Sequence, residues 1–176
     1  MSDRTSERDP EAVLLTGVYG AGKTSVTEEI AEVLQERALP YAAMDLDWLS
    51  WFDAGWDDDD AEHELMLKNL DVVVANYRSA GIQYFVLNLS IENSAMLDSI
   101  KALLAMTLRV VRLEVDLATI TKRLESDVTT ARQVDLHWAG VWLSEGTGEG
   151  IEDFVVPNDR PIRVVATEIL DLIGWS

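Results

Sequence analysis

Short unbroken apolar runs alternate along the chain with longer stretches in which apolar residues recur every three or four positions. Val13-Leu14-Leu15-Thr16 is a run of the kind that predicts a buried parallel strand. Beyond Thr24, the residues Val26, Ile30, Val33 and Leu34 fall at i, i+4, i+7 and i+8, which predicts a helix. Pro40 then punctuates a short strand, Tyr41-Ala42-Ala43-Met44, leading into Asp45-Leu46-Asp47. A long helix is predicted from about Ala61 to Ala80, with Met66, Leu70, Val73, Val74 and Tyr77 on one face and Gly81 as its stop. Tyr84-Phe85-Val86-Leu87 predicts a strand, and Met96, Ile100, Leu103 and Leu104 an inward face on a helix near Ser94–Leu104. Leu108 to Val115 reads as a further strand, followed by a helix marked by Leu117, Ile120 and Leu124. Val134–Ser144 is predicted helical and ends at Gly146-Thr147-Gly148-Glu149-Gly150. Phe154-Val155-Val156 is a short last strand, and Ile162, Val165, Ala166, Ile169, Leu172 and Ile173 define a closing amphipathic helix. Strands alternating with helices predict a three-layer α/β domain with a mostly parallel sheet. Ligands of such sheets sit at the carboxyl ends of the strands.

Length sets one limit on this picture. A chain of 176 residues suffices for one domain with a real core, and neither an internal repeat nor a Pro/Ser-rich linker divides it. Residues 11–176 are expected to form that domain, and Met1 to Pro10, polar and without an apolar stretch, a flexible tail that is neither signal nor anchor. No run approaches the roughly 18 apolar residues of a membrane span, so no membrane partner is expected. The net charge of −18 argues against nucleic acid as a partner, because binding a phosphate backbone needs a basic surface. It leaves a nucleotide open, since a cradle of backbone N–H groups and one lysine acts locally. The absence of cysteine removes disulfides, thiolate metal sites and cysteine nucleophiles, and is compatible with a cytoplasmic location. Oligomeric state stays open between monomer and homodimer.

The chemistry begins where the first strand meets the first helix. Gly17-Val18-Tyr19-Gly20-Ala21-Gly22-Lys23-Thr24 fits G-x-x-x-x-G-K-[ST], the phosphate-binding loop. Its glycines let the backbone curl so that the N–H groups of Gly20 to Thr24 converge on one anion. Lys23 adds a mobile charge for β- and γ-phosphates, and the Thr24 hydroxyl, with Ser25 nearby, can hold Mg²⁺. Strand, glycine loop and helix come in the order that places phosphate at a helix N-terminus. Further on, Trp48, Trp51, Phe52 and Trp56 cluster after Asp47. They either stack on an acceptor ring or bury a short helix. Asp57-Asp58-Asp59-Asp60 reads as a solvated loop or as electrostatic selection of a cationic acceptor. His63 and His137 lack partners at metal-binding spacing, and no Ser-His-Asp order or G-x-S-x-G elbow is present.

Taken together, these residues resemble the P-loop kinases of small molecules: the nucleoside and nucleotide kinases, with the shikimate, gluconate and adenylylsulfate kinases. Besides the glycine loop, Asp45-Leu46-Asp47 looks like the DxD at the end of the second strand in several of them. Thr121-Lys122-Arg123-Leu124, with Arg132 further on, is similar to their basic lid, here at about 122–135. Val156-Pro157-Asn158-Asp159-Arg160-Pro161 is similar to the loop that packs on adenine. The resemblance implies a P-loop fold with a five-stranded parallel sheet of order 2-3-1-4-5 and helices on both faces. It implies ATP and Mg²⁺ as cofactors and transfer of the γ-phosphoryl group to a hydroxyl or phosphate of a small-molecule acceptor. In that scheme Lys23 holds the β- and γ-phosphates, and Arg123 and Arg132 neutralise charge on the transferring group. Asp45 orients the acceptor and acts as base while Asp47 reaches Mg²⁺ through water, or the two exchange roles. If a helix starts at this point instead, one of them is its N-cap. Trp48 and Trp51 would line the acceptor side, and Asn158 and Arg160 either contact nucleotide or form only a turn and helix start. One departure stands out: the third strand ends in Asn88 and lacks the aspartate that many P-loop proteins use for the metal shell. Asn88 could still orient a metal-bound water. No N-K-x-D pattern points to guanine. The alternative reading is an ATPase or switch protein without a small-molecule acceptor, or a binding protein that has lost catalysis.

Overall fold

The computed structural model describes residues 9–53, 55, 59–125 and 131–175, with the backbone alone at 59, 60, 125 and 131–135. Most of the expected tail, Trp56, the Asp57–Asp60 side chains and the middle of the expected lid therefore lie outside the described residues.

Five strands run β1 (Glu11–Thr16), β2 (Tyr41–Asp45), β3 (Tyr84–Asn88), β4 (Thr107–Glu114) and β5 (Phe154–Pro157), all parallel, in the order β2-β3-β1-β4-β5. Among the described residues the helices are α1 (Lys23–Glu36), α2 (Asp59–Ser79), α3 (Ser94–Leu104), α4 (Leu117–Glu125), α5 (Ala131–Glu145) and α6 (Ile162–Ile173), with a 3₁₀ turn at Leu46–Leu49. Side chains on a strand alternate between faces, and here the alternation divides the core in two. Val13 and Leu15 of β1, with Tyr84 and Val86 of β3, pack against α1, α4, α5 and α6. Ala12, Leu14, Phe85 and Leu87 point the other way, onto Met66, Leu70 and Val74 of α2 and Leu97, Ile100 and Leu104 of α3. Burial of the central strands on both faces explains their unbroken apolar runs.

Three residues depart from the expected faces. Leu172 is exposed, while Leu170 is fully buried in its place. At about 100° per residue the stripe of α6 centres on Ile162, Ala166, Ile169 and Ile173, with Leu170 buried on one flank and Val165 on the other; Leu172 falls just outside Val165, at the edge of the stripe. Tyr77 is exposed in the last turns of α2, where Ile82 from the following loop covers the core. Leu117, at the first position of α4, is also exposed, and the helix buries Ile120 instead.

The order of the strands brings four chain segments to one end of the sheet. β1 hands over to the glycine loop, and its neighbour β3 ends at Asn88. Asp45, the last residue of β2, is in register with Asn88. On the other side of β1, β4 leads into α4, and β5 ends beside it with the Asn158 N–H bonded to the Glu114 carbonyl at 2.9 Å.

Candidate functional site

The loop after β1 is built around its own carbonyls. The Ala21 N–H closes a turn on the Val18 carbonyl at 3.1 Å. Lys23 Nζ donates to the carbonyls of Gly17 (3.1 Å) and Val18 (3.3 Å) and to Ser90 Oγ (2.8 Å), and the Ser90 hydroxyl contacts the Gly17 carbonyl at 3.2 Å. The Lys23 ammonium also lies 5.5 Å from the centre of the Tyr19 ring, which packs edge-on against Trp142. Gly22, at φ 90°, is the N-cap of α1; no side chain caps this helix and its first turn holds no acidic residue. Its positive end is therefore presented by backbone N–H groups alone, the arrangement that receives phosphate.

This loop is clamped from behind. Asn158, almost wholly buried, donates from Nδ2 to the Ala21 carbonyl at 2.7 Å. Arg123 reaches the same carbonyl at 3.4 Å and the Asn158 carbonyl with its other terminal nitrogen. A Cβ on Gly22 would stand 2.7 Å from Asn158 Nδ2, so glycine is demanded there by contact as well as by φ.

Facing the loop is a wall from β2 and β3. Thr24 Oγ1 donates to Asp45 Oδ2 at 2.9 Å, and Asp45 Oδ1 accepts from the Asp47 N–H at 3.1 Å. Asp45 thus ends the strand and caps the 3₁₀ turn, and the turn swings Asp47 and Trp48 over the cleft. Asp47 is exposed, yet the atoms packed around its carboxyl, with the Asp45 charge beside it, hold it above the ordinary aspartate range; Lys23 partly offsets them. Asn88 donates to Thr27 Oγ1 at 3.1 Å, and its Oδ1 has no hydrogen-bond partner although the residue is 1% exposed. Trp48 and Trp51 are 67% and 73% exposed, with ring centres 4.6 Å apart, so they do not fill the core.

Between loop and wall lies an open cleft of about 630 Å³. It gathers Tyr19, Gly20, Gly22, Lys23, Thr24, Ser25, Asp45, Asp47, Trp48, Trp51 and Arg123 from the sequence-based candidates, together with Asn88 and Leu124. Gly17 and Ala21 shape the loop from behind: a Cβ on Gly17 would meet the Leu113 carbonyl at 2.7 Å. Asn158 acts on the loop from below the cleft. Arg160 turns to Glu168 (2.7 Å) and to the Pro157 carbonyl (3.1 Å) and does not line the cleft. Arg132 lies on α5, its side chain outside the described residues. Sequence reasoning passed over Ser90 as the partner of Lys23; its only signal is its place two residues beyond the end of β3.

Phosphate and Mg²⁺ suit these groups. Among the described residues no set of three or more His, Asp or Glu could hold a metal alone. An ion here would be held by the Thr24 hydroxyl, one or two carboxylates and the phosphates themselves. The unpartnered Asn88 Oδ1 is a buried acceptor that a metal-bound water would satisfy. Among the same residues no helix is long and apolar enough to cross a membrane.

The chain has the P-loop fold of the small-molecule kinases. A tunicamycin resistance protein from Deinococcus radiodurans superposes with a TM-score of 0.69 at 20% identity, covering 95% of this chain and 96% of its own. A gluconokinase from Sinorhizobium meliloti 1021 gives 0.65 at 18% identity, over 96% and 94%. The APS kinase of Mycobacterium tuberculosis, in complex with AMPPNP and APS, gives 0.59 at 21% identity, over 94% and 98%. No family model matches the chain, and neither does any curated protein sequence.

Proposed function

We propose that this protein is an ATP-dependent, Mg²⁺-requiring phosphotransferase acting on a hydroxyl of a small molecule, in the cytoplasm. The observation that carries the reading is the 2.9 Å hydrogen bond from Thr24 to Asp45, which ties the phosphate loop to a carboxylate pair in one cleft. The loop N–H groups and Lys23 would bind and orient the triphosphate, and Arg123, which lines the cleft, would neutralise charge on the transferring group. Thr24 and Asp45, with Asn88 Oδ1 through water, would hold Mg²⁺, which supplies neutralisation of phosphate charge.

This leaves Asp47 to accept the proton of the acceptor hydroxyl, the exchange of roles that the sequence left open. The acceptor oxygen bonds to the γ-phosphorus as the bond to the β-phosphate oxygen breaks. The electron pair departs with ADP and the proton goes to Asp47. A carboxylate held above its usual range is the better base for that step. Asn158 serves by fixing the loop, and the same reading keeps Arg132 as a nucleotide contact; Arg160 would become one only by leaving Glu168.

Consumption of ATP by wild type and Lys23→Ala, with and without a panel of hydroxyl acceptors, tests this. Acceptor-stimulated turnover that is lost in the variant is the expected result. ATP hydrolysis indifferent to every acceptor would refute it. Asp47→Asn is expected to lower kcat at least a hundredfold while nucleotide binding is retained, and Asp45→Asn to raise the Mg²⁺ concentration needed for nucleotide binding.

A further inference from the structure

Two walls of the cleft differ in charge, and the difference bears on what the acceptor can be. The cations that line the cleft among the described residues are Lys23 and Arg123. Both stand on the phosphate-loop side, Lys23 bonded to the Gly17 and Val18 carbonyls and Ser90, Arg123 to the carbonyls of Ala21 and Asn158. The facing wall presents Asp45, Asp47, Trp48 and Trp51. Other basic side chains are engaged elsewhere, Arg112 with Glu152, Arg160 with Glu168 and Arg163 with Glu29 and Glu36. Arg37 and Arg78 bond to the carbonyls of Trp175 and Leu104. The metal does not reverse this balance, because a triphosphate with one Mg²⁺ is still net negative.

A phosphate or carboxylate on the acceptor would need a guanidinium, an ammonium or converging N–H groups. On this wall it would instead meet two carboxylates, in a chain of net charge −18. What the wall does offer is hydrogen-bond acceptors and an aromatic surface. The Trp48 and Trp51 rings, 4.6 Å apart and inclined at 47°, form one continuous apolar patch open to solvent. Such rings stack on a planar or sugar face and attract a cation placed over them.

We propose, building on the phosphotransferase reading, that the acceptor is a hydroxylated ring compound bearing no phosphate or carboxylate, held against Trp48 and Trp51. An uncharged nucleoside and an amino sugar share that chemistry. Its hydroxyl and any ammonium donate to Asp47, and its ring face covers the indoles. The reaction is the transfer written above, with the ring hydroxyl as nucleophile.

The test uses pairs that differ by one anionic group: a nucleoside against its 5′-monophosphate, and glucosamine against glucosamine 6-phosphate. Binding to protein loaded with Mg²⁺ and AMPPNP is measured by calorimetry, and turnover by ADP release with ATP. The expected result is that at least one uncharged or cationic member binds tenfold or more tightly than its anionic partner. Trp51→Ala is expected to weaken that binding about tenfold with AMPPNP still bound. Comparison of the two pairs separates nucleoside from amino sugar. Equal or tighter binding of the anionic members, or binding by no member of either pair, overturns the proposal. Preferential transfer to an anionic member overturns it while leaving the phosphotransferase reading intact. Selective binding of the uncharged member without ADP release refutes the phosphotransferase reading and supports the recognition proposed for the wall.

Discussion

Asn158 shows how much a single amide can hold. It is a buried polar side chain whose Nδ2 satisfies the Ala21 carbonyl while Arg123 bonds its own carbonyl. Asn158→Ala would strip that carbonyl of its shortest partner and leave a cavity under Gly22. A buried group left unpaired costs about 1–3 kcal/mol. The expected outcome is a lower urea midpoint and roughly tenfold weaker ATP binding by calorimetry; unchanged affinity would show that the loop holds its shape without the clamp. At this scale the sequence was partly legible. Gly17 to Thr24 announced themselves because the chemistry requires those residue types at that spacing. Ser90 and the clamping role of Asn158 did not, because each acts on the loop from far away along the chain, across 67 and 137 positions.

Elements were read with their boundaries nearly in place, since strand and helix periods are local properties of the chain. Orientation about the helix axis was less secure. On α6, Ile169 is fully buried and Leu172 is exposed, although both were expected inward. Ile169→Ala is accordingly expected to cost about 2–5 kcal/mol and Leu172→Ala within about 0.5, measured by urea denaturation. Helix α4, which carries Arg123, is preceded by Asp116, whose carboxylate accepts from the Thr119 N–H at 2.7 Å. That backbone bond, with the Thr119 side chain and the Arg123 charge, holds Asp116 below the ordinary aspartate range. A lowered folded value means stability present above the unfolded value near 3.9 and lost as the pH falls through the folded one. Asp116→Ala should therefore lower the urea midpoint at pH 7, and the gap to wild type should narrow as the pH drops below about 4. A gap independent of pH would dissociate the cap from its charge.

For the whole molecule, net charge is the property that no local pattern displays. With 32 acidic and 14 basic residues the folded state repels itself, and exposed charges are screened within about 10 Å at 0.1 M salt. Raising NaCl from about 10 to about 200 mM is expected to raise Tm by several degrees; a flat response would mean that the acidic residues are spaced too widely to matter. By itself the sequence determined the order of elements, the parallel sheet and the phosphate loop, because backbone preferences and a contiguous motif are encoded by neighbours in the chain. The tertiary structure decided the rest of the site. Sheet register sets Asp45 beside Asn88, the 3₁₀ turn sends Trp48 and Trp51 to solvent instead of the core, and β5 brings Asn158 beneath the loop. Those are contacts between strands far apart in sequence, and only the sheet that joins them brings them within hydrogen-bonding distance.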